Sequence, residues 1–229
     1  MEKRVYNFSA GPATLPLDVL KEVQSELINY NNIGASIIEI SHRSKDFESI
    51  VNDSIKRVRD LMGLGENYRV LFLQGGASSQ FFMIPMNLLK KEDTADYLDT
   101  GEWTKKAIKE AKLFANINIA ASSAEQKYTF IPKENINFSE KAKYVYLCSN
   151  NTIFGTEYKK FPKPKYNNFL VGDFSSNILS KKMDLKDFGL IFAGAQKNLG
   201  PAGITLVIIR DDVLKMSAEN LPSMLSYPI

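Results

Sequence analysis

The apolar positions of this chain change their period along its length. Over residues 17–30, Leu20, Val23, Leu27 and Ile28 fall on one helical face. A second helical stripe, Phe47, Ile50, Val51, Ile55, Val58 and Leu61, runs over residues 45–62. Gly63-Leu64-Gly65 stops it, because glycine takes the left-handed conformation that ends a helix. Between the two stripes, Ile37-Ile38-Glu39-Ile40 reads as a short extended piece leading into Ser41-His42-Arg43-Ser44.

From residue 68 onward, short continuous apolar runs take over. Strands are expected at 68–73, 95–98, 117–121, 144–148, 169–171, 190–192 and 204–209, with helices at 79–89 and 103–114. Strands alternating with helices predict an α/β fold in three layers, a mainly parallel sheet covered on both faces. Only a short turn separates the last two runs, so these strands are expected to be neighbours and antiparallel. Residues 1–16, broken by Gly11-Pro12 and Leu15-Pro16, are expected to form an extended N-terminal segment, and 17–229 one large domain.

The bulk composition narrows the function classes. With 229 residues and 44% hydrophobic content, there is ample material for one large core. The net charge of +3 comes from dispersed lysines, with no basic stripe, so no nucleic-acid partner is expected. The longest late apolar run, 204–209, is too short to cross a bilayer, so no membrane partner is expected either. The first residues lack a signal-peptide pattern. The single cysteine, Cys148, lies in an apolar run and reads as a small core residue. Together these point to a cytoplasmic protein, and no metal site is expected.

Several polar residues stand at the ends of the expected strands. Gly75-Gly76-Ala77-Ser78 follows a strand and opens a helix, which suits either a tight turn or a phosphate held by free amides. Asp173 ends an apolar strand, where its carboxylate can cap a helix or pair with a protonated ring nitrogen. Trp103 begins a helix, and its ring suits either core packing or stacking on a cofactor. Thr152, in Asn150-Asn151-Thr152, offers a hydroxyl or simply a polar turn. Lys197 lies just past the 190–192 run, among glycines. It is either a solvated turn lysine or a partly desolvated, nucleophilic amine. In open α/β sheets, ligands gather at the carboxyl ends of strands. One shared site therefore explains all five features better than five separate causes. A phosphate loop, a stacking ring, a carboxylate for a ring nitrogen and an amine for an aldehyde together describe a pyridoxal phosphate pocket.

Beyond that chemistry, the chain resembles a known family. Asn7-Phe8-Ser9-Ala10-Gly11-Pro12-Ala13, Ser41-His42-Arg43-Ser44, Gly75-Gly76-Ala77-Ser78, Gly101-Glu102-Trp103, Asn151-Thr152-Ile153, Asp173-Phe174-Ser175-Ser176 and Ala195-Gln196-Lys197-Asn198 occur in order across nearly its whole length. In these motifs it resembles the phosphoserine aminotransferases, fold type I pyridoxal phosphate enzymes of the class V aminotransferase family. The resemblance implies the large domain of that fold, with a smaller C-terminal domain missing. It implies that Lys197 bonds to the cofactor and moves the substrate proton, and that Asp173 pairs with the pyridine nitrogen. Trp103 would stack on the ring and Thr152 would hydrogen-bond near its phenolic oxygen. Gly76, Ala77, Ser78 and Gln196 would surround the phosphate. Ser9 and Arg43 would contact the substrate carboxylate, and His42 the substrate phosphate across a homodimer interface.

The implied reaction exchanges an amino group between L-glutamate and 3-phosphohydroxypyruvate, giving phosphoserine and 2-oxoglutarate in serine biosynthesis. Two alternatives stand beside it: a pyridoxal phosphate-binding domain without turnover, and a related aminotransferase acting on another substrate. A desulfurase, which needs a cysteine on a mobile loop, is disfavoured because Cys148 sits in an expected strand.

Overall fold

A computed structural model describes residues 4–228. Residues 1–3, which belong to the expected N-terminal segment and to the signal-peptide reading, lie outside the described residues, as does Ile229 at the end of the expected large domain.

Seven strands form the central sheet: β1 (Tyr68–Gln74), β2 (Thr94–Asp99), β3 (Asn116–Ser122), β4 (Ala142–Cys148), β7 (Phe169–Asp173), β8 (Phe188–Gly194) and β9 (Ile204–Arg210). Their spatial order is β1-β9-β8-β7-β4-β2-β3. A small hairpin, β5 (Asn150–Asn151) with β6 (Thr156–Glu157), follows β4. The pairs β2/β3, β2/β4, β4/β7 and β7/β8 are parallel, and β9 alone runs against the rest. The carboxyl ends of β1, β2, β4, β7 and β8 therefore share one edge. The start of β9 returns to that edge, with Gln74 opposite Ile204 and Gly194 opposite Thr205. The antiparallel pairing of the last two strands is as the short turn predicts.

The sheet's pleat sorts its residues into two cores. Tyr144, Tyr146, Leu190, Phe192, Val207 and Ile209 face one side. There they meet Phe81, Met83, Ile84 and Leu88 of α3 (Ala77–Leu88), and Ala107, Ile108 and Ala111 of α4 (Glu102–Ala111). Val145, Leu147, Ile191, Leu206 and Ile208 face the other side, against Val58 of α2 (Lys45–Met62), Phe174, Ile178 and Tyr158. This is the expected three-layer α/β arrangement. Strands such as β8, buried at every position, read as continuous apolar runs for that reason.

The helices depart from the sequence reading in instructive ways. Helix α1 (Leu17–Glu26) stops four residues short of the expected end, and none of its residues is buried. Leu20, Val23 and Leu27 stay more than a third exposed. Residues 37–40 form a turn, not an extended piece. There the Ser36 amide donates to Glu39 Oε2 and the Glu39 amide to Ser36 O, local bonds that compete with a strand. Helix α4 ends at Ala111, before the expected Phe114. The hairpin β5/β6 and the short α5 (Asp211–Leu214) carry no clear apolar period, so the hydrophobic pattern does not predict them.

Helix α2 matches its expected bounds. Ser44 caps it by accepting from the Phe47 amide, and Gly63 at φ 62° closes it in the left-handed conformation. Its stripe is narrower than expected, because Leu61 is 62% exposed while Val58 is buried. Leu147, fully enclosed in the sheet, should lose about 2–5 kcal/mol on Leu147→Ala, whereas Leu61→Ala should stay within about 0.5 kcal/mol. Urea denaturation of the two variants measures both, and equal losses would contradict the layering.

Candidate functional site

The strand ends that share one edge of the sheet enclose a cavity of about 430 Å³. It is lined by Gly75, Gly76, Ala77 and Ser78 after β1, Trp103 after β2, Cys148 at the end of β4, Asn150 at the start of β5, Asp173 at the end of β7, and Gln196 and Lys197 after β8. Its size suits a small ligand or cofactor.

The glycine loop adopts backbone conformations that favour glycine, with φ of 94° at Gly75 and 77° at Gly76. Helix α3 begins directly after it, so the first amides of the helix lack intrahelical acceptors. Across the cavity, Gly194 permits a close approach. A Cβ there would lie 2.6 Å from Gln196 Oε1 and 3.2 Å from Ala77 Cβ. Free amides, small side chains and the Gln196 amide make a cradle suited to a phosphate.

Asp173 is 4% exposed. Its Oδ1 accepts from the Ser175 amide at 2.9 Å. Its backbone oxygen accepts from both the amide and the hydroxyl of Ser149. Ser175 Oγ in turn accepts from the Gly194 amide at 3.0 Å, which joins the ends of β7 and β8. Burial pushes the carboxyl above its ordinary pKa, while the hydrogen bonds from Ser175 and the positive charge of Lys197 pull it back. A buried carboxylate of this kind is suited to a cationic N–H partner.

Lys197 is half-buried, with its Nζ 5.4 Å from the centroid of the Trp103 ring. The N-terminal segment crosses this loop, and the Ala13 amide donates to Gln196 O at 2.8 Å. Gly11 lies so close that a Cβ there would sit 3.1 Å from Gln196 Cγ and 3.2 Å from Lys197 Cγ. Asn198 Nδ2 pins the far side of the loop by donating to Ile178 O at 2.6 Å. The indole Nε1 of Trp103 is buried without a partner, leaving a donor available beside the cavity.

Seven of the residues singled out from sequence therefore line one cavity: Gly76, Ala77, Ser78, Trp103, Asp173, Gln196 and Lys197. Thr152 is exposed and outside the lining, where its neighbour Asn150 appears instead. Ser9, His42 and Arg43 are exposed and are not part of the cavity lining. Cys148, Phe81, Ser175 and Ser176 also line it, although the sequence reading assigns them no role in the site. Cys148 showed only as part of an apolar run. Its thiol donates to Asn150 O at 3.4 Å, and burial pushes its pKa well above the ordinary thiol value. Ser175 carried a signal, its place two residues after Asp173. Among the described residues, no cluster of three or more His, Cys, Asp or Glu could hold a metal, and no helix is long and apolar enough to cross a membrane.

Comparison with known proteins matches residues 5–223 to the aminotransferase class-V family. The chain is 54% identical over 228 residues to a phosphoserine aminotransferase of Desulfotalea psychrophila, covering 99% of this chain and 63% of that protein. Among solved structures, a phosphoserine aminotransferase of Bacillus circulans subsp. alkalophilus superposes with a TM-score of 0.95 at 50% identity, covering 98% of this chain and 62% of that one. A PLP-bound phosphoserine aminotransferase from Trichomonas vaginalis gives a TM-score of 0.91 at 39% identity, over 98% of this chain and 63% of that one. The chain thus spans somewhat under two thirds of the length of the relatives it matches.

The buried carboxyl makes stability depend on pH. Its folded pKa lies above the unfolded value of about 3.9. Between the two values the folded protein holds more protons than the unfolded chain, so stability falls as pH rises through that window. In cofactor-free protein, Asp173→Asn should remove this fall. The variant should match or exceed the parent above the window and lose its advantage below about pH 3.9. Chemical denaturation across pH measures the difference, and parallel profiles for the two proteins would contradict it.

Proposed function

The chain belongs to the class-V aminotransferase family, and we propose that its site serves a pyridoxal phosphate-dependent phosphoserine transaminase. The reaction moves an amino group between L-glutamate and 3-phosphohydroxypyruvate, giving phosphoserine and 2-oxoglutarate in serine biosynthesis. The observation that carries this reading is the convergence of Lys197 and Asp173, with the Trp103 ring and the Gly75–Gly76 loop, on one cavity.

Bound there, pyridoxal phosphate would supply an aldehyde for amine capture and a ring that withdraws electrons from the substrate's α-carbon. The amide cradle of Gly76, Ala77 and Ser78, with Gln196, would hold its phosphate. The Asp173 carboxylate would keep the ring nitrogen protonated, and that N–H would in turn meet the cost of burying the carboxylate's charge. Trp103 would set the plane of the ring. The Lys197 amine would capture the aldehyde and carry the proton to and from the α-carbon. Thr152 would act near the phenolic oxygen, Ser9 and Arg43 on the substrate carboxylate, and His42 on its phosphate. Arg43 has the fork geometry for such an anion.

In the same reading the working unit is a cytoplasmic homodimer, with His42 acting across the subunit boundary. The exposed apolar side chains of Val5, Tyr6, Phe8 and Ile28 supply surface that such an assembly would cover. A second reading, cofactor binding without turnover, is favoured by the exposure of Ser9, His42 and Arg43 outside the cavity.

A coupled assay of 2-oxoglutarate release from glutamate and 3-phosphohydroxypyruvate separates the two readings. Turnover by this chain, lost by more than about 10²-fold in Lys197→Ala, is the expected result. Pyridoxal phosphate binding without turnover would select the second reading. Undiminished turnover in Lys197→Ala would overturn the assignment of that lysine.

A further inference from the structure

Two loops flank the cavity from the β2 and β4 ends, and the side chains of Asn151 and Tyr128 both link them. The loop after β2 is anchored by Asp99, 8% exposed, which accepts from Ser122 Oγ at 2.8 Å, Tyr128 Oη at 3.2 Å and Thr104 Oγ1 at 3.3 Å. Thr104 Oγ1 also accepts from the amides of Thr100 and Gly101, which fixes the turn just before Trp103. The loop after β4 is anchored by Asn151, whose Nδ2 donates to Thr100 Oγ1 at 3.3 Å. It contains Phe154, whose ring lies 4.9 Å from that of Tyr128. The Tyr128 hydroxyl thus holds the Trp103 loop while its ring packs on the Thr152 loop.

The backbone under this bridge is unusual. Lys127 and Tyr128 stand in succession at φ of 53° and 58°, a region that side-chain-bearing residues disfavour and that persists where surrounding contacts over-determine it. The Lys127 amide donates to Ala124 O and the Tyr128 amide to Ser123 O, and these hydrogen bonds close the turn. Burial and the neighbouring Asp99 carboxylate push the Tyr128 phenol up to about 12, so it remains a donor at neutral pH.

We infer that Tyr128 is a positioning residue that sets the placement of the Trp103 loop against the Thr152 loop, and so the width of the slot in which a flat ring would lie. The inference rests on reading that slot as the cofactor site, but its first test does not. Trp103 is the only tryptophan of the chain, so its fluorescence reports on this loop alone. In cofactor-free protein, Tyr128→Phe should raise acrylamide quenching of Trp103 severalfold while cooperative unfolding persists, and Tyr128→Ala should raise it further. With pyridoxal phosphate added, Tyr128→Phe should bind it about tenfold more weakly, the ratio that matches one hydrogen bond to a charged acceptor.

If Tyr128→Ala fails to fold, Tyr128→Phe, which keeps the ring, decides. Wild-type quenching in a folded Tyr128→Phe variant would overturn the inference, as would a lowered thermal midpoint with unchanged quenching. Failure of the wild type to bind pyridoxal phosphate would sink the cofactor reading, while the quenching comparison would still judge the bridge.

Discussion

Asp173 places a carboxyl that is 4% exposed at the end of β7, between β4 and β8 in the middle of the sheet. A charge in that position is costly unless it is met by donors or by a cation. Ser175 supplies one amide donor, and the positive charge of Lys197 lies near enough to lower the carboxyl's pKa. These do not fully offset burial, because the pKa remains above its ordinary value. The site therefore has an electrostatic demand that a protonated ring nitrogen would meet, and the surrounding architecture is arranged around it. Ser149 and Ser175 tie the Asp173 segment to the ends of β4 and β8, which makes the carboxylate rigid as well as buried.

That arrangement depends on strand direction. Because the strands other than β9 run one way, residues far apart in sequence reach one edge of the sheet. Gly76, Trp103, Asp173 and Lys197 each stand at the end of an apolar run, so strand alternation alone predicts that they share one edge. Gly75 and Gly76 then take the positive φ that turns the chain from β1 into α3, and Gly194 lets Ala77 and Gln196 close on the end of β8. The N-terminal segment closes over the Lys197 loop from outside the sheet, with the Ala13 amide on Gln196 O.

The parts that sequence left unread share a physical cause. Cys148 and Phe81 lie inside apolar runs, and whether such a side chain faces the cavity or the core is set by pleat and helix rotation, which composition does not reveal. Ser175 acts through hydrogen bonds to Asp173 and Gly194, a pairing visible only once β7 and β8 are neighbours. The Leu20, Val23 and Leu27 stripe had the right period for a buried helix face, yet nothing among the described residues covers it. Periodicity reports a face that can be buried, not whether this chain buries it. At Ile37-Ile38-Glu39-Ile40, the β propensity of isoleucine yielded to the local hydrogen bonds of Ser36 and Glu39.

The central claim is that the Lys197 amine meets the aldehyde of pyridoxal phosphate in a cavity whose buried carboxylate accepts the ring N–H. Borohydride reduction of the wild-type chain after incubation with pyridoxal phosphate, followed by peptide mass mapping, tests it most directly. The account predicts a stable pyridoxyl mass on the peptide carrying Lys197, at stoichiometric yield and low cofactor concentration. A label spread over the exposed lysines, or confined to a lysine other than Lys197, would contradict it.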